Sequence, residues 1–408
     1  MKPFFQVKTS EEIHKIIQTL PCLPEEKIGL NDGLNRVLSK AVFSPEDLPH
    51  FPRATMDGFA VRARDTFGAS EAVPALLTLA GEIGMGQQAR EPIEPGYCFR
   101  IATGGMLPPE SDAVAMIEHS QQLDDQTIEI FKPVSPLDYV IQPGEDIKKA
   151  QPVLPAGVRL RPQDLGILAG LGITDFRVYR QPKVAIISTG DEIVSVEEQP
   201  PPGFIRDINS ITLQALTAKV GALPDFLGRT RDNYEQLKAL CEKGLNQADM
   251  ILISGGSSVG ARDYTLEVIH SFPGSEILAH GISISPGKPT ILARIGDKIL
   301  WGLPGHVVSA MIVFTLFVKT SLHQLEGETI SKQPPGFQAR LSRNMASSQG
   351  REDYIRVSLE KQGTEWLAIP ILGKSGLIST MVKADGLIRI DQNCEGLEKG
   401  EWVEVMLF

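Results

Sequence analysis

The apolar positions of this chain change rhythm along its length. Ile13, Ile16, Ile17 and Leu20 recur at helical spacing behind Thr9-Ser-Glu-Glu12, a capping-box signature, and Pro21 and Pro24 end the run. From residue 44 to about 150, proline and glycine recur between short apolar runs at 59–61, 76–79, 98–101, 113–117 and 128–131, which predicts a small β-rich domain. Segments 154–161 and 176–179 read as strands flanking a short helix over 161–171. With 28–42 they predict a connector into which the β domain is inserted. From Lys183 strands alternate with helices. Strands are predicted at 184–187 and 250–253, with a hairpin of Ile291–Ile295 and Lys298–Leu303 turning at Gly296-Asp297. Helices are predicted at 207–220, closed by Gly221, at 232–245, opened by Asp232-Asn-Tyr-Glu235, and at 307–322. This alternation predicts an α/β layer with a largely parallel sheet. Runs at 354–359, 366–371, 386–391 and 402–407 predict the strands of a small C-terminal barrel or sandwich.

In parallel sheets ligands gather at the carboxyl ends of strands, and the unusual turns of this chain fall there. One buried strand ends in Ser188, Thr189, Gly190 and Asp191, followed by Glu192; another ends in Ser254, Gly255 and Gly256. Backbone N–H groups freed by glycine beside serine and threonine hydroxyls suit a phosphate or oxyanion. Ser285-Pro-Gly-Lys288-Pro289 adds a cation on a constrained turn. Asp57, at a glycine turn, and Asp146, Glu192, Asp232 and Asp263 are candidate ligands for a hard cation. Asp232 and Asp263 also read as helix N-caps, and Asp57 as a turn former. His306 reads as a loop histidine near the same turns.

Composition narrows the options. A length of 408 residues predicts several domains, and a net charge of −10 without a basic stripe argues against nucleic acid as a partner. The four cysteines are far apart, which argues against a disulfide framework or a structural zinc. The seven histidines form no metal-binding pair or catalytic triad pattern. An early charged N-terminus and the lack of a run approaching about 18 apolar residues predict no secretory signal and no membrane span, hence a cytoplasmic protein.

Several segments stand in a telling order: Ala54-Thr-Met-Asp-Gly-Phe-Ala-Val61, Thr103-Gly-Gly105 with Asp112-Ala-Val-Ala-Met116, and Pro143-Gly-Glu-Asp-Ile147. Ser188-Thr-Gly-Asp-Glu192, Arg206-Asp-Ile-Asn-Ser210, Ser254-Gly-Gly-Ser-Ser-Val-Gly260, Pro286-Gly-Lys-Pro289 and Gly302-Leu-Pro-Gly305 follow. Over essentially the full length this resembles the molybdopterin molybdenumtransferase family, which includes the E domain of gephyrin. The resemblance implies a multidomain α/β plus β fold. A three-layer molybdopterin-binding-like α/β domain (1–22 and 181–326) would join a connector (23–43 and 151–180), an inserted β domain (44–150) and a C-terminal β-barrel-like domain (327–408). It implies a homodimer that joins molybdate to adenylylated molybdopterin with Mg2+-dependent release of AMP. Molybdopterin adenylyltransferase would be the pathway partner.

The resemblance further implies a site between the α/β domain of one subunit and the inserted β domain of the other. Asp57 and Thr103 would stand on the β side with Asp146 nearby, and Glu192, Asp232 and Asp263 would be the acidic and metal-holding positions. Lys288 would serve molybdate and phosphate, with Ser188 to Asp191, Ser254 to Gly256 and Pro289 lining the ligand. Ser309, Arg351 and Ser375 would face the oxyanion. The chain departs from the family pattern at Ser285, where a second cation is common, and at Ile141-Gln-Pro143, Ala261 and Val307. Lost cations weaken anion binding by about 0.5–3 kcal/mol per charge-assisted contact. They motivate an alternative, a non-catalytic molybdopterin-binding or scaffold paralogue; a phosphohydrolase acting on another nucleotide ranks third.

Overall fold

A computed structural model describes residues 7–88, 90–255, 264–329 and 336–408. Its contacts divide the chain into two compact units. One comprises Met1–Ser39, Gly157–Arg161 and Phe176–Phe408, the other Lys40–Ala156 and Pro162–Asp175.

The first unit is built on a six-stranded sheet. Its strands are β1 (Lys183–Thr189), β2 (Leu223–Thr230), β3 (Met250–Ser254), β4 (Ser275–His280), β5 (Ile291–Ile295) and β6 (Lys298–Leu303), in the order β2-β1-β3-β6-β5-β4. The first four in that order run parallel; β5 and β4 are antiparallel additions. Alternate residues of the buried strands feed opposite faces. Val184, Ile186, Met250, Leu252 and Trp301 pack with α1 (Ser10–Gln18), α2 (Ile208–Lys219) and α5 (Val307–Leu325). Ala185, Ile187, Ile251, Ile253 and Leu300 pack with α3 (Tyr234–Gln247) and α4 (Tyr264–His270). The result is three layers. Each fully buried Ile or Leu contributes about 1.5–3 kcal/mol, and burial on both faces explains why these strands read as continuous apolar runs.

Helix α1 has the expected capping box. Thr9 Oγ1 accepts from Glu12 N–H at 3.2 Å, and Glu12 Oε2 accepts from Thr9 N–H at 2.8 Å. Helix α5 runs past the expected end to Leu325 and contains a π turn over Phe314–Val318. By length and composition it is apolar enough to cross a membrane, but 67% of its most apolar window is buried inside this unit. Phe317 of the π turn stacks on Trp301 with ring centroids 6.4 Å apart.

His323, in the last turns of α5, is held neutral. Burial pushes its imidazole from 6.5 down to about 4, against the pull of Glu328 Oε2 at 3.1 Å. The unfolded chain therefore takes up a proton below pH 6.5 that the folded chain resists until about pH 4, and stability drops across that window. The expected loss is up to about 3 kcal/mol at its acid end. Replacing His323 by glutamine should flatten the decline in unfolding free energy between those two pH values.

Beyond the sheet the unit continues into a closed five-stranded barrel. Its strands are β7 (Phe337–Leu341), β8 (Glu352–Gln362), β9 (Glu365–Pro370), β10 (Gly386–Ile390) and β11 (Trp402–Leu407), in the order β8-β9-β7-β11-β10, with β8 pairing β10 to close the ring. Leu341, Val357, Ala368, Ile388 and Val405 fill it. The β7 strand was not evident in the sequence pattern.

The second unit holds a six-stranded sheet of its own. In spatial order its strands are Ala113–Met116, Gly58–Val61, Tyr97–Ile101, Ala75–Ile83, Thr127–Ile130 and Ser120–Gln122. Phe59, Val61, Leu77, Cys98, Ile128 and Ile130 form its core. The strand expected over 154–161 is shorter. Only Pro152–Leu154 is a strand, because Pro155 lacks an N–H and Gly157 turns the backbone at φ 77°. The helix that follows is Pro162–Gly170.

Candidate functional site

The site starts with an ion pair at the far end of the sheet. Asp249, just before β3, accepts from both terminal nitrogens of Arg180 at 2.9 and 2.7 Å and from the Lys183 N–H of β1 at 2.8 Å. Burial alone would raise the Asp249 carboxyl, but these donors hold it below the usual carboxylate range. The shared carboxylate starts β1 and β3 together, so they also finish together. Ser188 lies beside Ser254, and Ser254 beside Leu303 of β6.

Glycine directly follows the ends of β1 and β3, and one is compulsory. Gly255 has φ 107°, and a Cβ there would lie 2.0 Å from the Thr189 carbonyl oxygen. Gly255 N–H donates to Leu303 O at 3.2 Å, and Gly190 N–H to Thr230 O at 3.2 Å. Asn209, in the first turn of α2, ties the loops together. Its Nδ2 donates to Ser254 Oγ at 2.6 Å and to Gly305 O at 2.8 Å. Among the described residues its Oδ1 and the Ser188 Oγ are buried without a hydrogen-bond partner. Buried orphans of this kind are uncommon and mark places where a ligand can supply the missing bond. Asn209 falls in the motif at 206–210, two residues after Asp207, the N-cap of α2, but the sequence assigns it no role of its own.

The acidic residues gather at the same edge, with one correction. Asp232 is not the cap of α3. Asn233 is, its side chain accepting from Gln236 N–H at 3.0 Å. Asp232 is thereby free to accept from Thr189 Oγ1 at 2.9 Å, while its own N–H donates to Asp191 Oδ1 at 3.3 Å. Glu192 folds back over Gly190, where a Cβ would stand 3.0 Å from its Oε2. Asp191, Glu192 and Asp232 are all exposed. Among the described residues no three His, Cys, Asp or Glu gather as a metal cage. Gly256 and Asp263 lie outside the described residues, as do Ala261 and Arg262.

The lysine turn reaches this edge through the hairpin. Ile291, which opens β5, is opposite Gly302 near the end of β6, so residues 285–289 lie beyond the finishing ends of the parallel strands. The turn is fixed. Gly287 has φ 123°, and a Cβ would meet Val313 Cγ2 at 2.7 Å and Ile284 Cδ1 at 2.8 Å. Lys288 O accepts from the Ile282 and Thr290 N–H groups, each at 2.9 Å, and Thr290 Oγ1 donates to Gly287 O at 2.6 Å. Pro289 is half-buried beside Lys288, whose side chain is exposed and in no ion pair among the described residues.

Two barrel segments approach as well. Ile284–Ser285 pairs with Glu352 and Asp353, directly after Arg351, whose Nε lies 3.1 Å from Asp353 Oδ1. Ser375 Oγ meets His306 Nδ1 at 2.9 Å, and Ser375 O accepts from Val308 N–H at 3.1 Å. Ser309 is buried in the first turn of α5.

Asp57 and Thr103 come together in the other unit. Asp57 precedes the strand Gly58–Val61, Thr103 follows the neighbouring strand Tyr97–Ile101, and Gly58 pairs with Ile101. Thr103 N–H and Oγ1 donate to Asp57 Oδ1 at 2.7 and 2.8 Å. The backbone donor first, then the hydroxyl, holds the carboxyl below its usual range, so Asp57 is a fixed anion at neutral pH. Asp146 belongs to this unit too, its N–H donating to Leu48 O at 3.2 Å.

An α/β domain whose parallel strands end in Ser/Gly turns backed by helix N-termini, followed by a closed five-stranded barrel, is a molybdopterin-binding architecture, and sequence comparison agrees. Residues 7–172 match the "MoeA N-terminal region (domain I and II)", 185–324 the "Probable molybdopterin binding domain", and 338–408 the "MoeA C-terminal region (domain IV)". The chain belongs to the MoeA family of molybdopterin biosynthesis proteins. It is 33% identical to the molybdopterin molybdenumtransferase of Haemophilus influenzae over 97% of this chain and 96% of that one. The enzyme of the same name from Bacillus subtilis is 30% identical, over 94% of this chain and 89% of its own length. A crystal structure of the molybdopterin biosynthesis MoeA protein from Pyrococcus horikoshii OT3 superposes with a TM-score of 0.85 at 32% identity, covering 99% of this chain and all of that one.

Proposed function

We propose that this chain is a molybdopterin molybdotransferase that joins molybdate to the dithiolene of adenylylated molybdopterin and releases AMP. The observation that carries this reading is the meeting of the Ser188 and Ser254 strand ends with the Lys288 turn along one sheet edge. Molybdate is a tetrahedral dianion, and fixed N–H, hydroxyl and ammonium donors orient it. The pterin thiolates and a molybdate oxygen supply the reacting groups, so the protein's share is positioning and charge stabilisation.

Mg2+ fits the residues present. It prefers one or two carboxylates plus waters and phosphate oxygens to an all-protein cage. Asp232 and Glu192 would hold it, with Asp263 from the segment outside the described residues. When bound, the ion supplies charge neutralisation at the phosphoanhydride. Thr189 holds the Asp232 carboxylate in place, and Asn209 holds the Ser254 and Gly305 loops. The orphaned Asn209 Oδ1 and Ser188 Oγ are offered to polar groups of the ligand.

We assign the working form to a cytoplasmic homodimer in which the Asp57–Thr103 edge of one subunit completes the α/β site of the other, with an adenylyltransferase supplying the pterin. Purified protein given Mg2+, molybdate and adenylylated molybdopterin should release AMP at a rate that rises with molybdate. Folded protein that binds the pterin but releases no AMP at millimolar molybdate would favour the scaffold reading prompted by Ser285.

A further inference from the structure

A cavity of the first unit lies at the other end of helix α2 from the strand ends. It measures about 470 Å3, within the range of small-molecule sites. Helix α2 connects the two places. Asn209 sits in its first turn, Lys219 ends it, and its 12 residues span about 18 Å. Helix α5 makes the same passage, from Ser309 at the strand-end side to Lys319 in the cavity wall.

The lining has two characters. Leu216, Val220 and Phe314 give it an apolar wall. The charged residues of the lining are Arg159, Arg161, Lys219 and Lys319, with one carboxylate, Glu328. Arg159 is already neutralised, its Nη2 bonding Glu326 and Glu328. Lys219 and Lys319 are in no ion pair among the described residues. Lys319 is half-buried, and burial, against the attraction of Glu328 and helped by repulsion from Lys219 and Arg159, pushes its ammonium below the usual lysine range. A cation held in an unfavourable place beside an apolar wall would gain from an anion brought in on an apolar carrier.

We propose that this cleft is a second ligand site that takes a small amphipathic anion. Its acidic head, carboxylate, sulfonate or phosphate, sits between Lys219 and Lys319, and a ring-sized apolar body lies against Leu216, Val220 and Phe314. The site is independent of the molybdate chemistry proposed above, and its test does not use that reaction.

The probe is 8-anilinonaphthalene-1-sulfonate, an aromatic sulfonate whose fluorescence rises in apolar surroundings, titrated into the native full-length protein. One saturable site per chain is expected. Lys219→Gln, a change at an exposed position, should weaken binding several-fold, and the double variant with Lys319→Gln at least tenfold. Leu216→Trp, which fills the cleft, should remove the signal while circular dichroism shows the fold retained. Absence of saturable binding by the native protein overturns the proposal. So does binding that is undiminished in the Leu216→Trp variant or in the double lysine variant, because the dye then lies elsewhere.

Discussion

Replacing Asp57 by asparagine should lower the rate of AMP release by about 10²–10³-fold, the scale seen when a preorganised charge is removed from a reaction centre, and leave the fold intact. The amide oxygen can still accept from Thr103 N–H and Oγ1, so the turn keeps its two bonds at 2.7 and 2.8 Å. What is lost is the charge. A fixed carboxylate facing a site for anions is repulsive unless it holds a cation or a substrate proton. In the proposed reaction Asp57, kept ionised by its two donors, would hold a cation or take a substrate proton. The check is a steady-state comparison of AMP release with thermal unfolding as control. Wild-type turnover in the variant removes Asp57 from the mechanism.

Gly255→Ala should be the most damaging single change to the scaffold of the site. The added methyl would sit 2.0 Å from the Thr189 carbonyl oxygen, and φ 107° is itself unfavourable for alanine. Backbone carbonyl and strand end must both shift, at a cost of about 3 kcal/mol from strain and overpacking. The shift would move Thr189 and with it Asp232, so activity should fall further than stability alone explains. Denaturant unfolding followed alongside AMP release measures both. An unchanged unfolding midpoint would contradict the close approach of these two loops.

The sequence revealed these features unevenly, for physical reasons. Strands β1 and β3 are legible because burial on both faces makes their residues continuously apolar. Strand β7 is not, since Phe337-Gln-Ala-Arg-Leu341 buries only alternate positions of five residues. Asp232 and Asn233 are adjacent residues that both cap well, and Glu235 three positions on from Asp232 favours the wrong one. The structure chooses Asn233 because Asp232 is held by Thr189 from another strand, a contact no local window contains. The Asp57–Thr103 bond spans 46 residues; resemblance places the two on one side of the site, but the bond itself is visible only in the structure. Lys288 was flagged by its proline-glycine turn, but its position at the sheet edge follows from the register of β5 on β6. Asn209 belongs to the motif at 206–210, but its role is not legible there, because it lies in bridging two loops that follow other strands.

The central claim is that one site draws Asp57 from one subunit and Asp232 from the other. The direct measurement mixes two inactive variants, Asp57→Asn and Asp232→Asn, under conditions that let subunits exchange, and assays AMP release. With a two-fold dimer, half the molecules are mixed and each mixed molecule has one intact site, so about one quarter of wild-type activity should return. If the mixture stays as inactive as its parents while exchange is verified, the site is not shared between subunits and the account fails.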